Sequence, residues 1–183
     1  MITLTAIYDY VLRIDTYVRT NTSAKPQYLQ MVYDPGAGIT TISEQAALNA
    51  GYRIQQTGNI SSNVVGIGGI VRAKHTVIPD LIMGGVSLGP VFAHVVKFSD
   101  NLADRTSALL GMNVLSWFKI TQDCHWDDKQ EKFATATIML EPKFDISSVP
   151  SLDKFSANDR KQRFGNTFLI DNISLHETHG GSW

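Results

Sequence analysis

The chain has 183 residues, 43% hydrophobic and 18% charged, enough apolar material for the core of one ordinary domain with room for an added arm. Sixteen basic residues against seventeen acidic ones leave a formal net charge of −1, so there is no basic excess for a non-specific grip on nucleic acid, and no apolar run approaches the ~20 residues that cross a bilayer. A single cysteine, Cys124, excludes an internal disulfide and a multi-cysteine zinc site, and with no basic-then-apolar start to the chain it points to a reducing, cytoplasmic setting.

In chain order, residues 6–18 alternate apolar with charged positions as one half-buried strand does. A turn cluster at 20–26 contains a proline. Residues 28–33 form a second strand, which runs into the loop Asp34-Pro35-Gly36-Ala37-Gly38. Thr40-Thr41-Ile42 restarts a strand. Residues 43–51 read as a short helix with Ser43 as N-cap and Gly51 beyond its C-terminus. Short β pieces follow at 52–56, 60–65, 70–77, 80–83, 86–88 and 91–98, divided by glycine turns. Many short strands with regular turns predict an all-β domain, closed or nearly closed. Apolar spacing at 110, 114, 115 and 118 suits one or two helical turns, and 119–126 with 133–140 reads as a hairpin around the acidic turn Asp127-Asp128. Residues 142–183, with two prolines and only short apolar pieces, read as a C-terminal arm with one short helix at 157–164, set apart from a domain spanning 1–141.

Three separated pieces bear on chemistry. The first is an apolar strand followed by Asp34-Pro35-Gly36-Ala37-Gly38-Ile39-Thr40-Thr41. The second is the hairpin tip Gly66-Ile67-Gly68-Gly69 between apolar strands. The third is Leu109-Leu110-Gly111-Met112-Asn113-Val114-Leu115. In this order and spacing they resemble the retropepsins, the single-domain aspartic proteases of retroviruses and their bacterial relatives, over residues 28–140.

That resemblance implies a retropepsin-like closed barrel with one or two short helices. It also implies an aspartic endopeptidase that needs neither cofactor nor metal. Two carboxylates a few ångströms apart share a proton, so that one can act as base on a water while the other donates to the scissile carbonyl. The chain holds one Asp-x-Gly, at Asp34, so the pair must come from two chains and the enzyme must be a homodimer. The resemblance makes Pro35, Gly36, Ala37 and Gly38 the active-site loop, Gly66, Ile67, Gly68 and Gly69 the flap, and Leu110 and Gly111 the loop support. Ile39, Thr41 and Leu109 would line subsites for an extended polypeptide, with no nucleic acid and no membrane as partner.

Pro35 stands where the family carries Thr or Ser, whose hydroxyl bonds across the dimer. The alternative reading is therefore a catalytically weak or inactive module of the same fold that binds peptide or serves dimerisation. Gly38 and Met112 replace a family ion pair together, leaving no orphan charge. His176 and His179 are three apart beside Gly180-Gly181, the wrong spacing for a helical zinc motif, and read as a solvated tail. Cys124 reads as a packed thiol rather than a nucleophile. His75, His94 and His125 read as surface or packing residues, and Trp117 and Phe118 as core or interface.

Overall fold

The computed structural model describes residues 1–20, 24–52, 61–66, 69–98, 106–149 and 154. Its elements are β1 (Ile2–Asp9), β2 (Val11–Arg19), β3 (Gln27–Tyr33), β4 (Thr41–Ser43), α1 (Glu44–Asn49), β5 (Ser61–Gly66), β6 (Gly69–Ile78), β7 (Asp80–Met83), β8 (Val86–Ser87), β9 (Val91–Val96), β10 (Ala108–Leu110), α2 (Met112–Leu115), β11 (Phe118–Asp127), β12 (Lys132–Pro142) and a 3-10 turn at Ile146–Ser148. The strands join one sheet in the order β11-β12-β1-β2-β3-β10-β4-β9-β6-β5, with β7 on β2 and β8 on β7. The all-β expectation holds.

Strand alternation sets the core. Ile2, Leu4 and Ala6 of β1, Ile14 and Val18 of β2, and Ala136, Ile138 and Leu140 of β12 point inward at every second position, as the two-residue period of a strand requires. Leu29, Met31, Ile42, Leu110, Val114 and Leu115 join them in one cluster. Ser43 caps α1, its Oγ accepting from the Ala46 N–H at 3.0 Å, and Gly51 follows at φ +81, a conformation that costs glycine little.

Three expectations need correction. Residues 6–18 are not one strand: β1 and β2 form a hairpin about Tyr10, which takes a left-handed φ of 57. No glycine, asparagine or proline marks that reversal. The sheet is also open rather than a closed barrel. Among the described residues its main path ends at β5 and β11, which pair with β6 and β12 and not with each other. Third, Cys124 is exposed. It lies on the edge strand β11, whose residues 121–126 are exposed on both faces because the strand runs past the core.

The hairpin at 119–140 is present and extends from Phe118 to Pro142. Phe118 is buried, and Trp117 packs beside it with its ring 5.7 Å from Phe144. The chain after β12 stays on the domain as far as Val149, with Ile146 in the core and the Lys143 N–H bonded to the Trp117 carbonyl. The expected helix at 157–164 and the His176–His179 tail lie outside the described residues, as do Ile67, Gly68 and most of the expected strand at 52–56.

Candidate active site

The site arises from one topological step. β10 inserts between β3 and β4, parallel to β3 through Leu109↔Val32 and Leu110↔Tyr33, and antiparallel to β4 through Leu109↔Thr41. Consecutive strands β3 and β4 are thus separated by a strand from much later in the chain, and the segment joining them, residues 34–40, must cross the end of β10. Asp34 sits at the start of that crossing. Its N–H bonds to the Leu110 carbonyl at 3.2 Å, its carbonyl accepts from the Ala37 N–H at 3.1 Å, and its Oδ1 accepts from the Gly36 N–H at 2.9 Å. The side chain is partly buried, while Pro35 and Gly36 are exposed at the outer turn.

α2 holds the crossing from below. The Met112 N–H donates to the Ala37 carbonyl at 2.8 Å, and the Asn113 N–H to the Gly38 carbonyl at 3.0 Å. Gly111 is the contact point. A Cβ there would lie 2.5 Å from the Ile39 carbonyl carbon and 2.7 Å from the Thr40 nitrogen, so the loop closes on this position only because it has no side chain. At Gly38 a Cβ would meet nothing within 4 Å, so packing does not require that glycine.

Reasoning from sequence assigned no role to Asn113 or Thr40, yet together they make the densest polar node of the site. Asn113 Oδ1 accepts from the Thr40 N–H at 2.8 Å and from Thr40 Oγ1 at 2.9 Å, while Asn113 Nδ2 donates to the Phe92 carbonyl at 2.8 Å. Thr40 Oγ1 in turn accepts from the Gly111 N–H, and the Thr40 carbonyl accepts from the His94 N–H at 2.9 Å. One amide side chain therefore pins the crossing loop to β9 as well as to α2. The available signal was a lone polar residue inside the apolar stretch 108–115.

Of the other residues expected at the site, Leu109, Leu110, Ile39 and Thr41 lie on the strands and loop next to this node. Leu110 is fully buried beneath Asp34. Thr41 is buried on β4, with Oγ1 bonded to the Ile39 carbonyl, and Ile39 and Leu109 are partly buried. Gly66 and Gly69 are the last paired residues of the β5–β6 hairpin, which leaves Ile67 and Gly68 between them, outside the described residues. That hairpin joins the rest of the sheet through β6 on β9, where His75 lies opposite His94 with rings stacked at 5.1 Å and Phe92 edge-on to both. Burial holds both imidazoles below their ordinary pKa. His94 is lowered to about 4, first by desolvation and then by the nearby His75. Among the described residues no three His, Cys, Asp or Glu side chains gather as a metal site, and no helix is long and apolar enough to cross a membrane.

Residues 21–117, just over half of the chain, match the family described as “gag-polyprotein putative aspartyl protease”, and the chain belongs to that family. The matched span holds Asp34, the β5–β6 hairpin and Gly111 together. Among solved structures the chain is similar to a retropepsin-like aspartic protease from Rickettsia conorii, at 14% identity and a TM-score of 0.49, over 74% of this chain and 90% of that one. No curated protein matches.

Proposed function

We propose that this chain is an aspartic endopeptidase that acts as a homodimer, with the two Asp34 carboxylates activating a water between them. The observation that supports this most is the seating of Asp34. It is a carboxylate at the end of β3, on a loop fixed by the inserted β10, the side-chain-free Gly111 and the Asn113 amide. A charge-developing reaction profits from groups that need not reorganise, and this loop is braced at Leu110, Met112 and Asn113. One carboxylate per chain cannot supply both the base for water and the acid for the carbonyl oxygen, so a second copy completes the chemistry. An extended polypeptide would lie between the loop and the β5–β6 hairpin, with Ile39, Thr41 and Leu109 near its side chains and the cut made beside apolar residues.

Cleavage of a mixed unfolded-protein substrate by the purified chain between about pH 4 and 7 tests the reading. Activity that Asp34→Asn removes while light scattering still finds a dimer supports it. Absence of cleavage across that range removes it.

The second reading, a binding module without catalysis, is favoured by Pro35. At that position the chain offers neither a hydroxyl nor an N–H to a partner loop. If Pro35→Thr raises cleavage at least tenfold, the proline is what restrains the site. If both forms bind peptide and neither cuts, the binding module stands.

A further inference from the structure

We propose that an aromatic shelf at the paired tips of the β1–β2 and β11–β12 hairpins docks a basic stretch of polypeptide, arginine or lysine set among apolar residues.

The shelf follows from strand alternation. On β1 the inward row Ile2, Leu4, Ala6 continues to Tyr8. On β12 the row Leu140, Ile138, Ala136 runs on towards Phe133, which stands opposite Trp126 of β11. The core stops at Ala6 and Ala136, and the rows do not. Tyr8, Phe133 and Trp126 are left 39%, 47% and 53% exposed. Their rings meet edge-on, Tyr8 to Phe133 at 6.5 Å and Phe133 to Trp126 at 5.2 Å, so each holds the next in place. The result is a preformed row of rings across three strands, ~10 Å wide at ordinary strand spacing. Large apolar groups gathered in water, rather than scattered singly, mark a contact surface.

Charge selects the occupant. Asp9, Asp127, Asp128 and Glu131 stand at the two tips, against the exposed Lys129 and Lys132. Arg13 is turned to Asp9 at 3.8 Å, with its side chain mostly buried. The rim therefore carries an excess of carboxylate. An anionic partner is repelled by it, and a purely apolar one gains nothing from it. An arginine or lysine side chain uses both features, its stem and cation lying on the rings and its charge towards the acids. The backbone points the same way. Among the described residues, Tyr10 and Glu131 are the two non-glycine positions of positive φ, at 57 and 50, one at each tip. Glycine takes that conformation with less strain, yet the tips keep an exposed ring and an exposed carboxylate.

The shelf lies at the end of the sheet from which Asp34 emerges, since Val32 of β3 stands opposite Arg13 of β2. On the catalytic reading, a substrate held here keeps its basic stretch two to four strands from Asp34, about 10–20 Å. Docking itself does not rest on that reading.

The test titrates the full chain, carrying Asp34→Asn so that no probe is cut, into a fluorescein-labelled peptide of alternating arginine and leucine. Fluorescence anisotropy should show binding that weakens as salt rises. Trp126→Ser should raise Kd about tenfold. Asp128→Lys, at an exposed turn position, should raise it about fivefold. A peptide of alternating glutamate and leucine should not bind. Equal binding of the glutamate peptide, or a Kd that neither variant moves, overturns the inference. If Trp126→Ser instead turns a dimer into a monomer by light scattering, the shelf is a contact between copies and the inference falls. Co-sedimentation with phosphatidylcholine vesicles that Trp126→Ser abolishes assigns the shelf to a lipid surface and overturns it too. A chain with Asp34 intact that binds the arginine peptide but cuts nothing supports the docking surface and counts against the endopeptidase. One that cuts protein but does not bind the arginine peptide overturns the docking surface alone.

Discussion

The floor of the site and the β5–β6 hairpin beside it are built in opposite ways. The floor is over-determined: residues 34–40 are bonded to β10, α2 and β9, and one glycine is pressed against the backbone of Ile39 and Thr40. Among the described residues the hairpin joins the sheet through one strand pairing, β6 on β9, with the Lys74–Glu44 ion pair to α1 beside it, and shows Ile70 and Val71 to solvent. Catalysis by fixed groups favours the first arrangement and admission of a long substrate the second. The two meet at β9, where the His94 N–H bonds to the Thr40 carbonyl and the His94 ring stacks on His75 of the hairpin.

The contrast can be broken most forcefully at Gly111. Gly111→Ala drives a Cβ into the Ile39 peptide and should cost about 3 kcal/mol in urea denaturation, with activity lost. A cost below about 1 kcal/mol would mean that the floor yields as readily as the hairpin. Asn113→Ala comes next. It removes the acceptor of the Thr40 N–H and the amide donor to the Phe92 carbonyl and should cost about 2 kcal/mol. Asn113→Asp should recover part of this, since an oxygen still accepts from Thr40 while the Nδ2 donor to the Phe92 carbonyl is lost.

The junction responds to pH. Both imidazoles are held neutral by burial, so the unfolded chain binds more protons than the folded one below pH 6.5. Their contribution is fully present above pH 6.5 and is lost as the pH falls toward about 4 for His94. The urea midpoint should therefore drop across that window, and His94→Leu should flatten the drop. An unchanged slope in that variant would show that other groups carry the acid limb. The smallest effect belongs to the hairpin. Ile70 is 71% exposed, so Ile70→Ser should change stability by less than about 0.5 kcal/mol while raising KM for an apolar peptide. A stability loss as large as that of Asn113→Ala would erase the distinction between the two regions.

Much of this was legible locally. Alternation in β3 and β12, the Ser43 cap and the glycine pair at 66 and 69 report on near neighbours, and near neighbours are what a short stretch of sequence encodes. The three motifs around Asp34, Gly66 and Gly111 carried the resemblance that family membership supports. Asn113 stood in the third motif without a role because its three partners, the Thr40 N–H, the Thr40 hydroxyl and the Phe92 carbonyl, lie 21 to 73 residues away. The Tyr10 reversal was hidden because tyrosine is no signal of a left-handed turn.

The sequence by itself determined an all-β chain with one Asp-x-Gly, which on the proposed reading leaves a site that one copy cannot complete. Tertiary structure alone decided that β10 lies between β3 and β4 and that, among the described residues, the sheet stays open and β11 ends it with Cys124 in solvent. The reason is physical. A period of two tells which face of a strand is buried, because that depends on its own residues. Which strand lies beside it, or whether any does, depends on hydrogen bonds to segments far along the chain, and backbone groups carry no mark of their future partner.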